Sequence, residues 1–353
     1  MTDVAPLTNA DLAEMLARAA EDEVGHRQQA LLTASRRAAF TWPEEAAALV
    51  AEGRSLTELR SVGPWVARII HGWLEDPPEP PEPPELRRGF LTLAEVRSTM
   101  AAHPDWAREL RGDLQMHTTY SDGKATLDEM VVATAALGYG YVAITDHSKG
   151  LKIAHGMDEA MLAVEADDVR RVNQELRRSG EGLRVLHSIE MNLSPEGEGD
   201  MEIESLSKLD LVLAAFHSKL RVTEDQTERY LAGLRNPTIN TLAHPRGRRY
   251  GVRLGLQADW RRVFEAALEL DKALEIDAHP DRQDLNVELL ELAREVGVRI
   301  SIGTDAHRTT ELANMEYGLA AAIRAGIPRD RILNFQPVEE VLEWSARVRG
   351  LDR

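Results

Sequence analysis

Residues 77–84 read PPEPPEPP. Each proline fixes φ near −65° and lacks an N–H, so this run can enter neither a helix interior nor the middle of a sheet. It predicts a stiff polyproline-type spacer, about 25 Å long at ~3.1 Å per residue. The chain on either side must then fold as separate units. The expected division is a helical domain over 1–76, a linker over 77–85 and a large domain over 86–353. A length of 353 residues agrees, being long for one compact core.

The two parts differ in pattern. Residues 8–74 read as helix throughout, at 9–20, 24–40 and 43–52, with two short helices around 61–64. Asn9 and Pro43 sit where a cap and a first-turn proline belong. Beyond the spacer, 92–102 and 105–110 form a helical lead-in. Apolar strand-like runs then follow at 112–116, 141–145, 184–189, 209–216, 238–243, 273–276 and 299–302. Amphipathic helices at 127–137, 159–179, 223–234, 260–270 and 287–296 separate them, and a helical tail spans 311–348. This alternation predicts an α/β domain with a parallel sheet closed into a barrel.

Composition narrows the chemistry. With no Cys in the chain, disulfides, thiolate metal sites and thiol nucleophiles are excluded, so a metal would have to sit on His and carboxylates. There is no apolar window long enough for a membrane span and no signal-peptide pattern, so no membrane partner is expected and the expected compartment is the cytoplasm. A net charge of −17 argues against a general nucleic-acid binder. Oligomeric state is not legible.

The informative polar residues lie at strand ends. Gln115 and His117 close the first run, with Asp122 in the loop after it. Asp146 and His147 close the second, Glu190 the third, His217 the fourth and His244 the fifth. Asp305 and His307 follow the seventh. In a parallel barrel the C-terminal strand ends ring one mouth, so these side chains are expected to converge. A lone strand-end His is ordinarily structural, but His recurring at five strand ends among carboxylates points to a metal site. Clustered divalent ions would make a nucleophile at neutral pH and neutralise the transition-state charge of an anionic phosphate ester. Imidazole with carboxylate suits zinc, iron or manganese. Of only six Lys in the chain, Lys149, Lys152 and Lys219 follow directly on ligand-bearing strand ends, as do Arg221, Arg246 and Arg248. These six are the candidates for holding a substrate phosphate. His155 and His279 lie near motif loops, and His26, His71, His103 and His187 read as structural.

The runs DLQMHTTYSDG (113–123), ITDHS (144–148), FHS (216–218), AHPRGR (243–248) and GTDAH (303–307), together with Glu190, resemble the successive motifs of the PHP (polymerase and histidinol phosphatase) family over roughly residues 111–320. The likeness extends to PHP domains fused to bacterial X-family DNA polymerases, where EIDAHPDRQDL (275–285) also resembles a run. The resemblance implies a distorted seven-stranded (β/α)7 barrel with two to three divalent metal ions. Carried over by motif, one metal takes Gln115, His117, Glu190 and Asp305. A second takes Glu190 as bridge with His217 and His244, and a third takes Asp122, His147 and His307. Asp113, Asp146 and Glu190 are then the candidate catalytic residues, with the two aspartates orienting His ligands or else capping strand ends. One departure is plain: Gln115 stands where most members have His, and a neutral amide is a weak ligand that favours a harder ion such as manganese.

Residues 8–76 resemble the small N-terminal domain of X-family polymerases, in AAEDEVGHRQQALLTASRRAA (19–39) and LTELRSVGPWVARII (56–70). The second has the outline of a helix-hairpin-helix, through Leu56, Leu59, Val62, Gly63, Ala67 and Ile70. Ser61 replaces the usual first Gly, and Pro64, which has no N–H, replaces the usual basic residue. With seven Arg against twelve acidic residues in 1–76, this domain reads either as a DNA-phosphate binder or as a docking or gating module. The roughly 27 residues between spacer and first strand leave no room for a nucleotidyltransferase palm. The resulting expectation is a phosphoesterase acting on nucleic-acid ends, as a 3′ phosphatase or 3′–5′ exonuclease with DNA ends as partner. The alternatives are a phosphomonoesterase for a small metabolite such as histidinol phosphate or a nucleotide, and a non-catalytic DNA-associated scaffold.

Overall fold

The computed structural model describes residues 6–351. Its contacts divide the chain into two compact units, Met1–Pro104 and Asp105–Arg353.

The first unit is helical, with helices Asn9–Ala19, Gly25–Phe40, Ala46–Ala51, Pro64–Glu75 and Leu93–Ala102. Thr8 caps the first, accepting from Asp11 N while the Asp11 carboxylate reaches back. Leu12, Leu16, Leu31, Trp42, Leu49 and Ile70 are fully buried, the spacing expected of helices that each bury one stripe. Pro64 opens its helix at the first position, where a missing N–H costs nothing. Just before it, Ser61 takes φ 67. Residues 77–84 carry neither helix nor strand, and Pro84 sits at φ −60 and ψ 153, in the polyproline region. Residues 86–104, which the sequence pattern assigns beyond the linker, belong to the first unit. Arg87 Nε lies 2.8 Å from Glu14 Oε1, and the Phe90 ring meets Phe40 edge-on at 6.4 Å. These pairings join residues some fifty to seventy positions apart, which no local pattern reveals.

The second unit is an α/β domain. Its strands are β1 Gly112–Asp113, β2 Tyr141–Ile144, β3 Arg184–His187, β4 Glu190–Asn192, β5 Leu213–Ala215, β6 Thr241–Leu242, β7 Ala273–Asp277 and β8 Arg299–Gly303. They form two all-parallel sheets, β1-β2-β3 and β4-β5-β6-β7-β8. A parallel bridge between His147 and Glu190 joins the sheets, and one between Met116 and Ala306 joins the last strand to the first. The strands therefore close on themselves. Helices Leu127–Ala136, Glu159–Ser179, Thr227–Arg235, Trp260–Glu269 and Val287–Val296 intervene. The helical tail consists of helices Met315–Ala325 and Val338–Val348 with short 3-10 turns around them. Gly326 ends the former at φ 69, and Pro337 caps the latter.

Strand residues alternate between two cores, as a period of two requires. Val142, Ile144 and Val185 pack with Leu127, Met130, Val131, Val169 and Val172 from the helices. Tyr141, Ala143 and Leu186 pack with Leu213, Ala243 and Ala273, where Val341 and Trp344 join them from the last helix. With apolar residues on both faces, the strands read as continuous hydrophobic runs, which is why the parallel sheet was legible. Among the described residues no helix is long and apolar enough to cross a membrane.

Candidate metal centre

The candidate ligands other than Glu190 come from the C-terminal ends of the strands and the loops that follow. Glu190, at the start of β4, is fully buried at their centre. Its Oε1 lies 2.7 Å from His244 Nε2 and 3.1 Å from His217 Nε2. Its Oε2 lies 3.3 Å from His117 Nε2 and 3.4 Å from His147 Nδ1, and accepts from Gln115 Nε2 at 3.0 Å. His117 Nε2 is also 3.0 Å from Asp305 Oδ1. On the other side, Asp122 Oδ1 lies 3.2 Å from His307 Nε2 and 3.7 Å from His147 Nε2. Donor atoms fall into three groups, each within 4.8 Å: His117, Asp122, His147 and His307; His147, Glu190 and His217; His117, Glu190 and Asp305. His117 and His147 are thus each shared by two groups, where the family pattern assigns each to one.

Burial would push the Glu190 carboxyl up, but the surrounding imidazoles, His147 and His244 foremost, hold it well below the usual range. Asp122 is likewise brought down to about 2, against its burial, by His307 and His147. Burial lowers His147 to about 3, keeping an imidazole in the neutral form that ligates metal. Asp305 takes φ 51 and His244 φ 26, left-handed conformations that cost roughly 1–3 kcal/mol each in a non-glycine residue and cluster at functional sites. A Cβ at Gly303 would fall on Glu275 Oε1 and Gln115 Cβ, so only glycine lets β7 and the first loop close here.

These residues fit a cluster of divalent ions. Gln115 Oε1, His117 Nδ1, His147 Nδ1 and Asp122 Oδ1 are buried without a hydrogen-bond partner, although buried polar atoms are paired in nine cases of ten or more. The donor set, imidazole and carboxylate with one amide, is the kind that holds zinc, manganese or iron.

Asp113 and Asp146 hold loops in place, and among the described residues neither hydrogen-bonds an imidazole. Asp113 accepts from Thr304 Oγ1 at 2.6 Å and Thr304 N at 3.1 Å, tying the segment after β8 to β1. Burial lifts it to about 6 despite those bonds. Asp146 accepts from Thr118 N at 2.9 Å, Thr118 Oγ1 at 2.6 Å and Ser121, which fixes the loop carrying Asp122.

Several cations placed near the site by sequence are engaged elsewhere. Lys149 pairs with Glu159 at 2.6 Å. Arg221 and Arg246 donate to the backbone carbonyls of Val252 and Leu254. Arg248 is buried, which lowers it to about 10, and Lys152 and Lys219 are exposed. A cavity of about 410 Å³ opens instead beside Asp122, Asp305 and His307, lined by Lys124, Arg249, Arg282 and Arg308, with His155 and His279. Arg282 Nη2 reaches Asp305 Oδ2 at 3.0 Å, putting a guanidinium against a candidate ligand. It belongs to the 275–285 run, whose likeness was visible although no single residue stood out. Lys124 and Arg308 follow the ligand positions Asp122 and His307 almost directly, the same signal that picked out Lys149 and Lys219. Glu275, also missed, accepts from His244 N at 2.7 Å, and burial, with Asp277 adding to it, raises its carboxyl well above the usual range.

The chain is similar to several known proteins. A family model described as "PHP domain" matches residues 113–325. The chain is 36% identical over 234 residues to the "DNA polymerase/3'-5' exonuclease PolX" of Bacillus subtilis (strain 168), covering 66% of this chain and 40% of that protein. It thus spans less than half of that relative's length. It is 29% identical over 245 residues to a "Probable phosphatase" of Acetivibrio thermocellus, covering 67% of this chain and 95% of that protein. A solved histidinol phosphate phosphatase from Lactococcus lactis subsp. lactis Il1403, complexed with zinc, L-histidinol and phosphate, aligns with TM-score 0.48 and 16% identity, covering 62% of this chain and 94% of that one.

Proposed function

The chain belongs to the PHP domain family of metal-dependent phosphoester hydrolases, and we propose that the esters it cleaves lie at nucleic-acid ends, as a 3′ phosphatase or 3′–5′ exonuclease. The observation that carries the chemistry is Glu190, one buried carboxylate with four imidazoles and an amide within 3.4 Å of its two oxygens. Divalent ions bound there would supply a nucleophile at neutral pH and neutralise charge on the phosphoryl group. We assign Gln115, His117, Asp122, His147, Glu190, His217, His244, Asp305 and His307 to hold them. Asp113 and Asp146 keep the ligand loops in register. Arg282, held against Asp305 and lining the same cavity, lends positive charge to the mouth of the site. We count β3 and β4, which only Ser188 and Ile189 separate, as one stave of a seven-stave barrel.

Nucleic-acid ends are favoured because the chain is 36% identical over 234 residues to a polymerase and 3'-5' exonuclease. We read residues 56–70 as a helix-hairpin-helix element and 1–76 as the domain it belongs to. In support, Ser61 at φ 67 adopts the left-handed turn for which the motif ordinarily uses Gly. Pro64 at the helix start removes one N–H from the anion-facing turn, so this element contributes a weaker phosphate contact than an intact motif. A second reading, a phosphomonoesterase for small metabolites, is supported by the match to nearly the whole length of a probable phosphatase and by the acidic charge of −17.

The deciding experiment assays metal-loaded protein on a 3′-phosphorylated oligonucleotide beside a panel of small phosphomonoesters, histidinol phosphate and nucleotides included. Preference for the oligonucleotide is expected. Turnover confined to small monoesters would establish the second reading, and inactivity on all of them would leave only a DNA-associated scaffold.

A further inference from the structure

We propose that a single-stranded nucleic-acid end enters this site over a ridge made by Lys124 and Arg308, which together hold the internal phosphate next to the one being hydrolysed. The inference rests on the nucleic-acid-end reading and gives it a strand path. Lys124 N donates to His307 O at 2.7 Å, and this bond sets the two cationic residues on neighbouring loops, each within two positions of a candidate ligand. Both side chains are exposed, and neither has an ion-pair partner among the described residues. The other charges around the cavity are committed: Arg249 to Asp281 at 3.1 Å, Arg282 to Asp305 at 3.0 Å, and Glu311 to His307 N at 2.8 Å.

Lys124 and Arg308 line two cavities at once. On one side is the 410 Å³ cavity with Asp122, Asp305 and His307. On the other is a trough of about 810 Å³ along helix Leu127–Ala136, with Ala125, Val132 and Ala133 in its wall. Val132 is 70% exposed there. The trough's two carboxylates are engaged, Asp128 with Arg171 at 3.0 Å and Glu129 with its capping Thr126. An anionic cluster site, a ridge of two free cations and an apolar trough follow one another, matching the terminal phosphate, the internal phosphate one nucleoside along, and the nucleoside beyond it. A small monoester needs only the first of the three. Phosphate contacts of this kind position a strand without reading its sequence.

The test uses the full-length, metal-loaded protein and 3′-phosphorylated oligothymidylates of one to four nucleotides. kcat/KM is expected to rise about tenfold from one nucleotide to two, where the first internal phosphate appears, and little thereafter. The double variant Lys124→Glu/Arg308→Glu should lose that step. If it fails to fold, the single variants Lys124→Ala and Arg308→Ala carry the comparison, each losing part of the step. A second readout needs no turnover: anisotropy of a labelled decathymidylate on chelated protein, titrated with salt. The slope of log affinity against log salt should shrink by about 0.7 in Lys124→Ala/Arg308→Ala, the value for one single-strand phosphate. Hydrolysis of all four lengths at one rate, or a step and salt slope untouched by the variants, overturns the strand path and leaves nucleic-acid-end hydrolysis standing. Failure to hydrolyse any of the four overturns both.

Discussion

Gln115 donates its amide N–H to Glu190 across 3.0 Å, so the residue standing where the family ordinarily has a histidine is bonded to the carboxylate that touches four imidazoles. Its Oε1 is buried without a partner, facing the Gly303 backbone that cannot accept a Cβ. An amide oxygen is a weak, hard donor. Gln115→His is therefore expected to raise zinc affinity at this position, by about tenfold or more, and to weaken any preference for manganese. Competition titrations with a chromophoric chelator measure both forms. Equal zinc affinities would show that residue 115 does not ligate and serves only to hold Glu190.

Glu190 should be the most sensitive single position. Glu190→Ala removes one carboxylate from two of the three donor groups at once. It also takes the charge partner from His117 and His244, which Asp305 and Glu190 keep raised against their burial. Metal content should fall, and activity should drop by more than the ~10–100-fold typical of groups that merely support a ligand. Chelation of the wild type should abolish turnover, with recovery on adding back zinc, manganese or iron in turn. Elemental analysis beside a phosphatase assay reads both effects. A variant with full activity would remove Glu190 from the centre.

A separate prediction concerns Lys272, buried to 3% exposure with Nζ donating to Asn236 O and no ion-pair partner among the described residues. Burial lowers its pKa to about 8 from 10.5. In the unfolded chain the amine stays protonated up to about 10.5, so between the two values the unfolded state binds more protons and stability rises with pH. Full relief of a shift this size is worth about 3 kcal/mol. Thermal melts should show the wild type gaining stability from pH 7.5 to 9.5. Lys272→Met should lose that gain, and parallel slopes in the two proteins would place the amine in water.

Much of this was legible because the signals are local. Helices Glu159–Ser179 and Val287–Val296 run where the amphipathic pattern puts them, and the strand-end His, Asp and Glu residues converge because parallel strands end on one face. What escaped depends on distant partners. The run 184–189 reads as one strand, yet β3 ends at His187 and β4 begins at Glu190, where pairing with β2 gives way to pairing with β5. Lys149 follows a ligand strand as closely as Lys124 does, but turns to Glu159, 10 residues away. Proximity in sequence to a ligand marks candidates, and only the loop's direction sorts them.

The division of the chain supplies the last prediction. A cut at the spacer would leave residues 85–104 on the second fragment, exposing Leu91, Ala94 and Val96, which are buried in the whole chain, and parting Arg87 from Glu14. The cut belongs after Pro104, and residues 105–353 should fold and keep their metals, since all eight strands lie within them. If residues 1–76 help hold a strand, this fragment should lose far more activity on oligonucleotides than on p-nitrophenyl phosphate. The intact protein's oligonucleotide affinity should also fall steeply with salt, because each neutralised phosphate releases counterions. That unequal loss is the expected outcome, although Pro64 and the excess of acidic residues in 1–76 limit its size. Equal loss on both substrates, with a flat salt response, would make the helical unit irrelevant to substrate and move the enzyme to small phosphomonoesters.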